Sequence, residues 1–163
     1  TVVEGIVMHL HGLGSFESHA HRVFEGEYRD FFEGYYLDEL DANVRVSAEI
    51  TSAVSKRMSR RERQRRRQRQ RRRRTASEGE QEQEQDRVTV TFTQTTRTAI
   101  PINMTLKEFI GAPFLKKADR EIFVDNLAMH HTFQGLRTVS HAGMPVPHHV
   151  DHLDLKTAPE EEE

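Results

Sequence analysis

The stretch NVRVSAEI, residues 43–50, alternates apolar and polar side chains, and so does RVTVTF, residues 87–92. Such alternation is typical of a strand that has one face on a core and the other in solvent. The segment between them, 56–86, contains only two apolar side chains, Met58 and Ala76. The pattern predicts a β-hairpin whose loop is an oversized polar insertion. A fold tolerates such a loop because closure entropy grows only with the logarithm of loop length.

Two further patterns precede this hairpin. Thr1–Leu13 is β-like, because apolar and histidine side chains occupy alternating positions. These positions are Val3, Val7, His9 and His11. Over Ser18–Leu40, aromatic and leucine side chains instead recur every three or four residues, with acidic side chains between them. That spacing predicts an amphipathic helix.

On the C-terminal side, Phe114–Met129 predicts a second helix with Pro113 at its start. Its expected apolar face is formed by Leu115, Ala118, Ile122 and Leu127. The fold class predicted is α+β: a small, mainly antiparallel sheet with about two helices, interrupted by the charged, low-complexity hairpin insertion. We expect one domain in two parts, with the insertion between them and an acidic tail. The expected boundaries are 1–55, 56–86, 87–155 and 156–163.

Charge is strongly segregated along the chain, although the net charge is only −2. Residues 56–74 hold twelve arginines and one lysine against Glu62, a net charge of +12, and residues 78–86 carry −5. The remaining residues carry −9, since 12 − 5 − 9 gives −2. Charge this concentrated points to a polyanionic partner rather than to a fold.

The basic part of the insertion resembles the arginine-rich motifs of viral RNA-binding peptides and of ribosomal protein extensions. Arginine donates hydrogen bonds in pairs to phosphate oxygens, and the absence of aromatic side chains from the tract favours phosphate contact over base stacking. The expected nucleic-acid-binding residues are Arg57, Arg60, Arg61, Arg63, Arg65, Arg66, Arg67, Arg69, Arg71, Arg72, Arg73 and Arg74.

The acidic part of the insertion has two interpretations. Glu80, Glu82 and Glu84 alternate with glutamine and can screen the arginines until a nucleic acid displaces them. Thr75 and Ser77, which follow four arginines and precede acids, resemble kinase substrates. A phosphate there would strengthen the internal screening.

The histidines suggest a different class of site. The segment GSFESHAHRVFE, residues 14–25, resembles the first metal motif of the cupin family, whose barrel binds a divalent metal with three histidines and one glutamate. The resemblance implies one divalent metal ion held by His19, His21, Glu25 and, from AGMPVPHH, His148.

Other features narrow the function classes. LHGLGS, residues 10–15, resembles the oxyanion loop of the α/β-hydrolases, but the chain has no G-x-S-x-G nucleophile motif, P-loop or dinucleotide-binding fingerprint. The motifs therefore do not support catalysis. No cysteine is present, which excludes disulfides and fits an intracellular, reducing compartment. No apolar run is long enough to span a bilayer.

The basic tract alone would also fit a solvated insertion without a ligand, a nuclear-import signal or contact with an anionic membrane surface. For the whole chain, two functions are open from the sequence. The first is an RNA-binding or polyanion-binding structural component of a ribonucleoprotein assembly, without a cofactor, in which the arginine-rich loop contacts phosphates and the acidic body contacts protein neighbours. The alternative is a cupin-like protein that binds a divalent metal and carries a basic insertion.

Overall fold

The computed structural model describes residues 1–57, 64–65, 86–99 and 102–143. Four strands and three helices account for most of these residues. In chain order they are β1 (Val2–His11), α1 (Ser18–Leu40), β2 (Val44–Lys56), β3 (Arg87–Thr98), α2 (Leu106–Gly111), a 3₁₀ turn (Ala112–Phe114), α3 (Lys117–Ala128), a second 3₁₀ turn (His131–Phe133) and β4 (Thr138–Gly143).

The four strands form one sheet in the order β2-β3-β1-β4, and every neighbouring pair is antiparallel. This β-α-β-β-α-β order is that of the ferredoxin-like, or split β-α-β, topology, with two helices in the second connection. The predicted α+β class and the antiparallel sheet are confirmed. The helix α2 was not predicted; it begins with a capping box in which the side chains of Thr105 and Glu108 each accept the other's backbone N–H.

The hairpin predicted from the two alternating stretches is confirmed. β2 pairs with β3 from Val44, opposite Thr98, to Lys56, opposite Arg87. Both strands are longer than the alternating stretches suggested. Because Lys56 and Arg87 still face each other, the insertion leaves the sheet at the tip of an ordinary hairpin.

One face of the sheet carries the whole core. Helix α1 buries one residue per turn, and these residues are Ala20, Phe24, Tyr28, Phe32 and Tyr36. The rings of Phe24 and Tyr28 pack edge-to-face on Phe92 of β3, and Phe123 of α3 packs on Phe24. The helices therefore cover one side of the sheet, and the described residues leave its other side open.

Of the positions expected to alternate in β1, Val7, His9 and His11 share a face, but Val3 does not lie on it. Ile6, Met8 and Leu10 are buried, whereas Val7 and the two histidines lie on the open face. The cause is a bulge between Val3 and Ile6, where Gly5 adopts a φ of 70°. One extra residue in a strand reverses the facing of every later side chain.

The second predicted helix is present but shorter, and its apolar face was misassigned. It begins at Lys117, and Pro113, which was expected at its start, lies within the preceding 3₁₀ turn. Its buried residues are Phe123, Val124 and Leu127, whereas Leu115 and Ile122 are 74% and 53% exposed. Only Leu127 of the expected face belongs to the core.

No helix in the described ranges is long and apolar enough to cross a membrane. The absence of cysteine leaves no disulfide.

Candidate nucleic-acid interface

Both ends of the insertion are attached to the loop that follows β1. The guanidinium Nε of Arg57 donates a hydrogen bond to the carbonyl oxygen of Gly14 at 2.7 Å. The backbone N–H of Gly12 donates to the carbonyl oxygen of Asp86, also at 2.7 Å. We call Arg57, Asp86 and the loop 12–14 the neck. The neck fixes where the insertion leaves the domain.

The neck requires glycine at position 12. Gly12 has a φ of +94°, and a Cβ added there would lie 2.3 Å from the carbonyl oxygen of Gly135. The backbone N–H of Arg137 donates to the carbonyl oxygen of His11 at 2.9 Å, and this hydrogen bond joins the same turn to β1. Gly12 of LHGLGS therefore serves a close backbone approach. The segment's likeness to a hydrolase oxyanion loop has no counterpart in this antiparallel fold.

A row of polar side chains crosses the open face beside the neck. The strand register aligns Lys56 with Arg87, Arg87 with His11, and His11 with Thr138. Residues directly opposite each other in antiparallel strands share a face, so all four side chains lie on the open side. We call them the neck row. Two cations directly opposite each other repel, and among the described residues neither Lys56 nor Arg87 forms an ion pair.

A second row lies one step further from the neck and contains Val54, Thr89, His9 and Ser140. His9 Nδ1 lies 3.0 Å from Thr89 Oγ1, and His11 Nε2 lies 2.9 Å from Ser140 Oγ, so both imidazoles are held by hydroxyl groups. The ring centroids of His9 and His11 are 6.1 Å apart. We call the two rows together the neck face.

The neck face carries two cations, Lys56 and Arg87, and a histidine, His9, whose pKa is shifted. Partial burial lowers the pKa of His9 below its ordinary value, and the charges of Arg87 and of His11 lower that pKa further. The imidazole of His9 is therefore neutral near pH 7, with one nitrogen that donates and one that accepts. The cationic side chains of the neck row supply the charge.

The far end of the hairpin also has two cations opposite each other, Arg45 and Arg97. Here an acid is close, because Arg45 Nη1 lies 3.7 Å from Glu33 Oε2. Thr91, Thr93 and Thr95 cover the middle of the open face on β3, and Glu49 lies opposite Thr93. The cationic pair beside the neck thus differs from the pair at the far end, which has a carboxylate within reach.

Only two of the twelve expected nucleic-acid-binding arginines are among the described residues. Arg57 is exposed and belongs to the neck, and Arg65 is helical and exposed. The other ten lie outside the described residues, as do Thr75 and Ser77 and the acidic tail. The ten are Arg60, Arg61, Arg63, Arg66, Arg67, Arg69, Arg71, Arg72, Arg73 and Arg74.

The expected metal ligands are not brought together as far as the structure describes them. His19, His21 and Glu25 lie on α1, where residues two apart point to different sides of the helix. The ring of His21 packs on Phe16 with centroids 5.1 Å apart, and Glu25 Oε1 accepts the backbone N–H of Ile50 at 2.9 Å. His148 lies outside the described residues.

Glu25 has a structural use that the sequence did not reveal. β2 is an edge strand, and its outward N–H groups at Val46 and Ile50 donate to Glu33 Oε1 and Glu25 Oε1, at 2.8 and 2.9 Å. Two turns of α1 separate the glutamates, so the helix caps this sheet edge. Within the described ranges no group of three or more histidine or acidic side chains could hold a metal ion. The antiparallel sheet with helices on one face also differs from the barrel that the cupin resemblance implies.

A groove of about 880 Å³ runs along the other sheet edge, between β4 and the helices α2 and α3. His141 of β4 stacks on Phe114 at its base, with centroids 5.7 Å apart. Arg120 at its rim donates to the carbonyl oxygens of Phe114 and Leu115, so this cation supports the 3₁₀ turn. Its lining also includes Lys107, Lys117 and Arg137, and Lys117 Nζ lies 3.7 Å from Glu121 Oε1.

No protein family model matches the chain, and no curated protein or solved structure matches it either.

Proposed function

We propose that the protein binds RNA through the arginine-rich insertion, as a structural component of a ribonucleoprotein assembly in a reducing, intracellular compartment. The observation that carries this proposal is the net charge of +12 on residues 56–74, inserted at the tip of a hairpin that is complete without it. The core does not need this segment. A partner that supplies phosphates would explain why the segment carries so much positive charge.

The hydrogen bonds of the neck also support the proposal. Arg57 and Asp86 fasten the two ends of the insertion to the loop 12–14, so the arginines start from a fixed point on a rigid sheet. A fixed origin reduces the conformational entropy lost when the segment contacts RNA. The rest of the chain carries a net charge of −9 outside 56–74 and 78–86, so its acidic surfaces disfavour phosphates and are left to contact protein neighbours.

The direct test is a titration of a labelled RNA with the whole chain and with a variant in which residues 58–85 are replaced by a short glycine-containing turn. That replacement keeps both neck residues. Binding by the whole chain that is lost in the variant supports the proposal, and equal binding by both contradicts it.

A second experiment tests the internal screening. Glu80, Glu82 and Glu84 changed together to Gln should tighten RNA binding, because the competing anion is lost. The matched control changes three exposed acids of α1 (Asp30, Asp38 and Glu39) to Asn, Asn and Gln, which alters the net charge equally. A general charge effect would tighten binding in both variants.

A further inference from the structure

We propose that the neck face is a second RNA contact, which binds single-stranded RNA against the rings of His9 and His11 while the arginines hold the adjoining phosphates. The inference rests on the proposed function, because it names the form of RNA that the same interface takes. Nothing in the arginine tract itself distinguishes a single strand from a duplex, since its expected contacts are with phosphates.

The insertion and the neck row are continuous in the chain. Arg57 follows Lys56 directly in the chain, and Lys56 is the first residue of the neck row. Asp86 likewise precedes Arg87. RNA held by the arginines nearest the sheet is therefore within reach of the neck row.

Charge is the second argument. Lys56 and Arg87 are held directly opposite each other with no described carboxylate in ion-pair distance. Their mutual repulsion is relieved when an anion lies between them. A phosphate of the RNA backbone is such an anion, and arginine donates to it in pairs.

Shape and chemistry are the third argument. The second row presents a histidine ring, two hydroxyl groups and a valine side chain on the open face of the antiparallel sheet. Single-stranded RNA is recognised where its unstacked bases lie on such rings and where hydroxyl groups reach base edges and 2′-hydroxyls. A duplex keeps its bases stacked inside and cannot use these groups. The rings of His9 and His11 are already oriented by Thr89 and Ser140.

The test compares a short oligouridine with an RNA duplex of the same length, each titrated with the whole chain. His9→Ala combined with His11→Ala should weaken oligouridine binding by about tenfold, the size expected for the loss of one or two stacked bases. Duplex binding should stay within about twofold, because the arginines are intact. The matched control, Thr93→Ala combined with Thr95→Ala, removes side chains from the same face away from the neck and should change neither affinity.

Arg87→Gln provides a second variant that keeps both rings. It should weaken oligouridine binding and make its salt dependence shallower by about 0.7, the value for one phosphate contact with a single strand. Photocrosslinking with iodouridine should also place modified peptides in β1 or β3. Crosslinks confined to the insertion, together with unchanged affinities in the histidine variant and in Arg87→Gln, would overturn the inference and leave the proposed function standing.

Two other outcomes distinguish failure of the proposed function from failure of the inference alone. If the whole chain binds neither RNA, the proposed function fails and the inference fails with it. If the chain is a dimer in solution that Val54→Asp converts to monomers, a second copy covers the neck face, and the inference is overturned whether or not the arginines bind RNA.

Discussion

The hydroxyl of Tyr28 donates a hydrogen bond of 2.6 Å to the side-chain oxygen of Gln94, and both side chains are completely buried. Gln94 in turn donates from Nε2 to the hydroxyl of Thr96 at 3.0 Å. This chain of bonds joins α1 to β3 in the middle of an otherwise aromatic core. Burial raises the pKa of the Tyr28 hydroxyl far above its usual value, so the group stays protonated and donates.

We expect Tyr28→Phe and Gln94→Leu each to lower the free energy of unfolding by about 1–3 kcal/mol, since each leaves a buried polar partner unsatisfied. The double variant should cost less than the sum of the two, because it leaves fewer unsatisfied groups. Denaturant titrations of the three variants measure this coupling. Strictly additive losses would mean that the hydrogen bond does not link the two side chains.

The insertion should be separable from the fold. Replacing residues 58–85 by a short glycine-containing turn keeps the neck and should leave a cooperatively folded domain. Replacing 57–86 also removes the guanidinium of Arg57 and its hydrogen bond to the Gly14 carbonyl oxygen, and should cost about 1 kcal/mol more. Thermal unfolding followed by circular dichroism compares the two variants. Loss of cooperative unfolding in the first variant would show that the insertion is part of the core.

Glycine at the neck should be indispensable. Gly12→Ala places a Cβ 2.3 Å from the Gly135 carbonyl oxygen at a φ of +94° and should destabilise the domain by more than 1 kcal/mol, on the order expected for a strained left-handed residue with a clash. Gly34→Ala in α1, where a Cβ meets nothing within 4 Å, is the matched control and should stabilise by about 0.5–1 kcal/mol. Equal effects at the two positions would contradict the geometry of the neck.

Stability should fall on acidification. Burial lowers the pKa of His141, and burial with Arg87 and His11 lowers that of His9, so the folded state takes up protons on these residues at lower pH than the unfolded chain. As pH falls below the unfolded value of about 6.5, the unfolded state binds more protons and gains stability. His141→Gln should reduce this dependence, as measured by denaturant titrations between about pH 7.5 and 5.5. An unchanged dependence in that variant would exclude His141 as a contributor.

Alternation and periodicity predicted most of the fold. RVTVTF and NVRVSAEI gave the correct hairpin, and the aromatic spacing gave α1 with its observed ends. The two failures have different causes, one local and one non-local. The bulge at Gly5 reversed the facing of β1, and the apolar face of α3 depended on packing against α1, which no short window of sequence contains.

The candidate site was only partly predictable. The charge of the insertion is evident from composition, whereas the neck row depends on a register that joins residues 31, 76 and 127 positions apart in the chain, the separations of Lys56–Arg87, His11–Arg87 and His11–Thr138. The alternation of RVTVTF did put Arg87 and Thr89 on the polar face, but only strand pairing brings the histidines to them. The role of Glu25 at the β2 edge was likewise hidden, because an acidic residue on a helix is usually a solvated one.

The central claim, that phosphates bind the arginine tract, is tested most directly by the salt dependence of RNA affinity. Contacts to phosphates release counterions, so log K should fall linearly with log salt, by about 0.7 per contact for single strands. If half of the arginines engage, we expect a slope of about −4. If Arg65, Arg66 and Arg67 are all among those engaged, changing them to Gln should make the slope shallower by about 2. Changing the exposed Lys107, Lys116 and Lys117 to Gln alters the net charge equally and should leave the slope unchanged. An affinity that does not depend on salt, or a slope that responds to the lysines and not to the arginines, would contradict the account.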